Sequence, residues 1–272
     1  MIRACRLSPL VVAAAALAIE LRPTAASAQP SPDAQTAFYT ARYEDAAALT
    51  LKACAAGDLE SCELRSSALL FELKRVIEPA KNRDQAFKGC GKCPALLEAF
   101  LADTAKGQML AREILNESAM DATALFFLGK LDLNYVWLQA GTLGRKTGWD
   151  QYWEARRALD AVLKINPHHV RARVARAWMD YIVDTRIPWA VRWAFGGGSR
   201  KKALATLREA AMADAETFAR AEARFGLWDM LAREKNYSEA VVVARELAKD
   251  FPSNTDLPRF LSTHDPHFKA SE

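Results

Sequence analysis

Glycine (12), cysteine (5) and histidine (4) are scarce in this chain of 272 residues. With so little glycine, no phosphate-cradling loop is present. There is no G-x-x-x-x-G-K-[ST], and no strand precedes the one glycine run, Gly196–Gly198. Four histidines leave little room for imidazole chemistry. His168 and His169 follow Pro167 at a helix start and read as caps or solvent contacts. His264 and His267 have H-x-x-H spacing but sit in a polar tail without orienting partners. No Ser, Cys, His and acid set has the spacing of a nucleophilic triad. The expectation is a protein that is not an enzyme and needs no cofactor or metal.

Long apolar runs are also missing. Leu10–Ile19 is stopped by Glu20 and Arg22, and Ala122–Ala140 contains Lys130, Asp132 and Asn134. Neither can cross a bilayer. The net charge is only +4, and half of that falls on the first 28 residues, with Arg3, Arg6 and Arg22 against Glu20. The remainder gives no electrostatic case for nucleic acid or an anionic membrane. Strand-like alternation of β-branched residues never lasts more than a few positions, which excludes a sheet protein.

What is present begins with a leader. Arg3 and Arg6, the apolar stretch and Ala26-Ser27-Ala28 follow the order of a secretory signal cleaved after Ala28. Cys5 precedes the apolar stretch and cannot be lipidated at that cleavage point. A periplasmic or secreted bacterial protein is expected. Residues 29–37 (QPSPDAQTA) read as a disordered lead-in, and 253–272 as a C-terminal tail. Between them, 38–252 carries the helical period. Ala155, Ala158, Leu159, Val162 and Leu163 fall at i, i+3, i+4, i+7, i+8, one apolar stripe that needs a partner. The chain is 51% hydrophobic, enough for a sizeable core.

Five stretches share one frame. EARRALDAVLKINP (154–167) and EAVVVARELAKDFP (239–252) both end on proline; DAAALTLKACAAGD (45–58), KALATLREAAMADA (202–215) and, more loosely, GQMLAREILNESA (107–119) fit without it. In the last unit Ala240, Ala244, Leu247 and Pro252 keep the spacing, although Trp228 occupies a slot for a small residue. Over 38–252 this resembles the tetratricopeptide-repeat family. The resemblance implies an all-α solenoid of stacked αα-hairpins that binds a protein or peptide and does no chemistry. LFFLGKLDLNYVWLQ and FGGGSRKKALATLREA also resemble exported tetratricopeptide-like proteins of bacteria without known activity. A fainter similarity is to the periplasmic helical-repeat partner of some solute transporters. Three units are overlong. Ser66 to Gly107, Gly129 to Ala155 and Ala175 to Ala203 each far exceed the dozen residues from Trp228 to Ala240. In a solenoid these insertions lie on one edge.

Four cysteines remain after the leader, an even number that suggests two disulfides. Cys54 and Cys62 flank a Gly-Asp turn, where a pair eight apart can meet. The segment 52–70 resembles the C-x7-C staple of secreted Sel1-like repeats, which implies the pairing Cys54–Cys62. Cys90-Gly-Lys-Cys93-Pro94 reads as a structural disulfide, with an active dithiol or a metal site as alternatives. All seven tryptophans lie between 137 and 228. Trp137, Trp153, Trp178 and Trp228 sit on amphipathic stripes and read as core. Trp149, Trp189 and Trp193 lie in or beside the insertions and are candidate contacts for a partner, with Arg192 and Arg200. Arg200, Lys201 and Lys202 occupy the first turn of a helix after Ser199. They oppose its dipole, so a small anionic ligand is one way to offset them; a solvated loop is the other. A carrier of a small anionic or aromatic molecule is the second functional expectation, and a thiol oxidoreductase at Cys90 and Cys93 the third.

Overall fold

The computed structural model describes residues 31–268. The expected leader lies outside the described residues. Within them every regular element is helical. In order these are α1 (Pro32–Tyr39), α2 (Tyr43–Ala55), α3 (Leu59–Ile77), α4 (Arg83–Gly89), α5 (Cys93–Glu117) and α6 (Ala122–Val136). A π-helical turn at Trp137–Thr142 leads to α7 (Trp149–Ile165) and α8 (Val170–Arg186). A 3-10 helix at Trp189–Phe195 precedes α9 (Arg200–Met212), α10 (Thr217–Arg233), α11 (Tyr237–Asp250) and α12 (Asp256–His264). None is long and apolar enough to cross a membrane.

Local chemistry sets the boundaries. The side chains of Asp58, Asn82, Asp121, Ser199 and Asn236 each accept a backbone N–H from the first turn that follows, worth about 1 kcal/mol apiece. His169 caps α8 through Nδ1, which accepts from the Ala172 N–H at 3.2 Å. Consecutive helices then pack on one another, and the periodic stripes face inward. Ala155, Ala158, Leu159 and Val162 are buried. Two glycines mark where helices approach closely. A Cβ on Gly129 would lie 2.8 Å from the Leu159 side chain, and one on Gly107 2.6 Å from that of Leu131. The frame's small-residue slots are thus points where one helix beds into the next.

Two segments differ from expectation. Residues 32–37, expected as a disordered lead-in, belong to α1, where Ala34 and Ala37 are fully buried. Residues 256–264, expected as tail, form α12, where Leu257 and Leu261 are buried. In both cases a short apolar face packs on the repeat core, which offsets the entropy of ordering a terminus. The cap also accounts for Trp228. Its ring packs against Phe260 of α12 at 5.4 Å, so the slot is filled by an indole where the neighbouring helix is short.

The two ends of this helical series meet. The Tyr39 ring at the end of α1 stacks on Phe218 (5.9 Å) and Phe225 (5.4 Å) of α10 and packs against Phe251 (5.5 Å). Its hydroxyl donates to the Phe218 carbonyl at 3.2 Å, and the Asn254 amide donates to the Tyr39 carbonyl at 2.7 Å. An open solenoid would hold its first and last hairpins apart.

Closure encloses a set of charges. Arg171 of α8 donates to Glu60 (3.1 Å) and Glu63 (2.9 Å) of α3 and to Glu222 (2.7 Å) of α10. Lys130 of α6 reaches Glu222 at 2.6 Å. Burial by itself would raise the Glu222 carboxyl, but Lys130 and Arg171 overcome it and lower its pKa to about 2. The set has three carboxylates and two cations, and the imbalance falls on Glu60, raised chiefly by burial and further by Glu63. A buried polar network extends this set outward. Glu63 accepts from Ser67 (2.8 Å), Asn134 donates to Ser67 (3.0 Å), and Ser66 pairs with Thr104 (2.8 Å).

Candidate functional site: the insertion edge

The three insertions touch in sequence. Arg83, which opens α4 in the first, donates to the Gly141 carbonyl of the second at 2.6 Å. Thr142 of the second donates to Glu78 of the first at 3.2 Å. The Trp149 ring packs on Phe195 of the third at 5.2 Å. They build one continuous edge.

The third insertion is exposed, yet it is tied down by its own contacts. Ile187-Pro188 breaks α8, and Gly196 (φ +77°) and Gly197 (φ +71°) end the 3-10 helix in the left-handed region. Phe195 turns inward, and its carbonyl accepts from the Tyr152 hydroxyl at 2.8 Å and from Arg156 at 3.3 Å. Arg156 also donates to the Gly196 carbonyl at 2.9 Å; a Cβ at Gly196 would meet that guanidinium at 2.5 Å. A Cβ on Gly198 would strike the Asp180 carbonyl at 2.5 Å, so glycine lets the start of α9 lie against α8.

This scaffold presents Trp189 and Trp193 to solvent at 82% and 78% exposure, with Trp149 beside them at 49%. The other four tryptophans pack against the core clusters. Of the two candidate arginines, Arg192 has another role. It turns back to donate to the Ile187 carbonyl at 2.9 Å and pairs with Asp184, so it pins the segment. Arg200 stays exposed and pairs with Glu234 at 3.4 Å.

The basic start of α9 has an internal counter-charge. Asp184 accepts from the Arg200 backbone N–H at 3.0 Å as well as from Arg192, and Ser199 caps Lys202 at 3.3 Å. The protein's own carboxylates meet Arg200, while Lys201 and Lys202 have no ion-pair partner among the described residues. Two cavities are present, and the second reaches Lys202 at the start of α9. One of about 20 Å³ lies beside Tyr39 and Arg171, room for about one water. Another, about 290 Å³, is an open groove lined largely by charged residues such as Asp160, Arg173 and Asp180.

Both cysteine pairs are disulfide-bonded, Cys54–Cys62 and Cys90–Cys93, which suits an oxidising compartment. Cys93 is fully buried at the start of α5. Lys92 between the pair is held by Glu72 at 2.6 Å and by Glu44, so its charge is committed to carboxylates and not to a thiolate. The tail histidine His264 stacks on Tyr237 at 4.1 Å.

One strongly perturbed group lies away from the edge. Asp132 of α6 is completely buried, accepts from Gln108 at 2.7 Å and faces Glu154 and Arg112. Burial first, and the charge of Glu154 second, raise its pKa to about 8, while the pairing of Arg112 with Glu154 (2.5 Å) holds Glu154 low. Asp132 Oδ2 is buried without a hydrogen-bond partner among the described residues. Neither cavity described above is lined by Asp132.

No family model, curated protein or solved structure matches this chain.

Proposed function

We propose that this chain is an exported, non-catalytic helical-repeat adaptor of the tetratricopeptide-like kind, and that it binds its target through the insertion edge. The observation that carries this reading is the exposure of Trp189 and Trp193 on a segment held by Arg192, Tyr152 and Arg156. Leaving large aromatics in water is unfavourable, and rigid ones are the usual anchors of a binding surface. The centre does not compete for the role, because its charges are paired to one another. A broad target, whether a protein, a peptide or another extended surface, suits exposed anchors better than a small molecule, which needs enclosure.

Fractionation of the native cell envelope tests the reading. The wild-type protein should co-fractionate with large envelope material, and W189A/W193A should be released as free protein with an unchanged circular dichroism spectrum. Identical fractionation of the two would overturn it.

A further inference from the structure

We infer that the insertion edge docks on an anionic lipid surface. The inference rests on the reading above, that this edge is the recognition surface, and adds the chemistry of what it meets.

The first observation is segregation of charge. Between Asp184 and Glu209 the chain has no acidic residue but six cations. Three of these are internally paired: Arg192 with Asp184, Arg200 with Glu234 and Arg208 with Glu239. The other three, Arg186, Lys201 and Lys202, are exposed and form no ion pair with any described residue. A second acid-free stretch runs between Asp132 and Asp150, with Arg145 and Lys146 exposed within it. The Trp149–Phe195 contact joins the two stretches. The small net charge of the whole chain conceals this, because Asp132, Asp150, Asp184 and Glu209 bound these stretches in sequence without falling inside them.

The second observation is the kind of apolar group on display. The exposed groups are two indoles and Val191 (44% exposed) on a short, tied-down helix. Indoles settle at the headgroup level of a bilayer, with the ring among acyl chains and the N–H toward water. Lysine and arginine beside them gain roughly 1 kcal/mol each near an anionic surface. The two acid-free stretches contain no carboxylate to receive a protein's donors. Phosphate headgroups require only donors and cations, which is what these stretches provide. No described helix can span a bilayer, so attachment is peripheral.

The test is co-sedimentation with large unilamellar vesicles. The full chain is expressed with its own leader and purified as the cell processes it. Vesicles of phosphatidylcholine with one quarter phosphatidylglycerol should bind it, and pure phosphatidylcholine about tenfold less or more weakly still. Replacing Lys201 and Lys202 by glutamine should weaken binding about tenfold or more, and high salt should do the same. W189A/W193A should abolish it. W189F/W193F should retain part of it while losing the quenching of tryptophan emission by brominated lipid. Equal binding to neutral and anionic vesicles, or none to either, overturns the inference. If vesicles are ignored while W189A/W193A still releases the protein from envelope material, the partner is a protein and the adaptor reading stands. If neither measurement responds to the tryptophans, both fall.

Discussion

The centre of the molecule and its insertion edge use the same residue types in opposite ways. At the centre, arginine and lysine meet glutamate inside a closed set of helices, and Tyr39, Phe218 and Phe225 stack on one another. At the edge, cations of one sign stand unpaired and tryptophans face water. The centre satisfies its own groups and contributes stability. The edge leaves groups unsatisfied, which makes it available to something outside. Neither a charge count nor an aromatic count distinguishes the two, since only the placement of partners does.

The largest effect should come from breaking the centre. Arg171→Met strips the shared cation from Glu60, Glu63 and Glu222 and should cost about 3–5 kcal/mol in urea unfolding. Next comes pH. The Glu222 carboxyl has a pKa near 2 in the fold against 4.5 ordinarily, so its contribution is present above pH 4.5 and is lost as pH falls toward 2. Asp132 works the other way. Its folded pKa of about 8 exceeds the ordinary 3.8, so its contribution is complete below pH 3.8 and is lost as pH rises through 8. Thermal melts should therefore lose this contribution between about pH 4 and pH 8 and level off above it, and Asp132→Asn should flatten that decline. A smaller effect, about 1–2 kcal/mol, is expected for Arg192→Ala, which unpins the 3-10 helix and should open residues 187–198 to limited proteolysis. The smallest is at the edge itself. Trp189→Ala or Trp193→Ala should shift stability by less than about 0.5 kcal/mol, because neither side chain is buried. A large loss there would erase the contrast between the two regions.

The repeat frame made much of the fold legible. It placed the inward stripe of α7, the small slots at Gly107 and Gly129, and the insertions between paired helices. Periodicity records only what one helix buries against its neighbours. It therefore missed α1 and α12, whose apolar faces are too short to show a period, and it missed the closure at Tyr39, whose partners lie far along the chain. Glu60, Glu63, Lys130, Arg171 and Glu222 each look like an ordinary helical surface charge until the fold brings them together. At the edge, composition was enough to single out Trp149, Trp189 and Trp193. It could not separate Arg192, which serves the fold, from Lys201 and Lys202, because pairing depends on Asp184 being at hand. Whole-chain charge also averages over the sequence, which hides a segment that lacks acids.

The meeting of α1 with α10 also bears on how the chain melts. A linear array of repeats frays from its ends, and its stability is a sum over neighbours. Here the contact between Tyr39 and Phe218 ties the first helix to the last hairpin, so neither end is free to fray alone. Loss of either end exposes the shared ion set, and the rest should follow in one cooperative step. The same tie requires contacts between residues 179 positions apart, which places the cost of closing a long loop before the final gain and makes folding slower than in an open array.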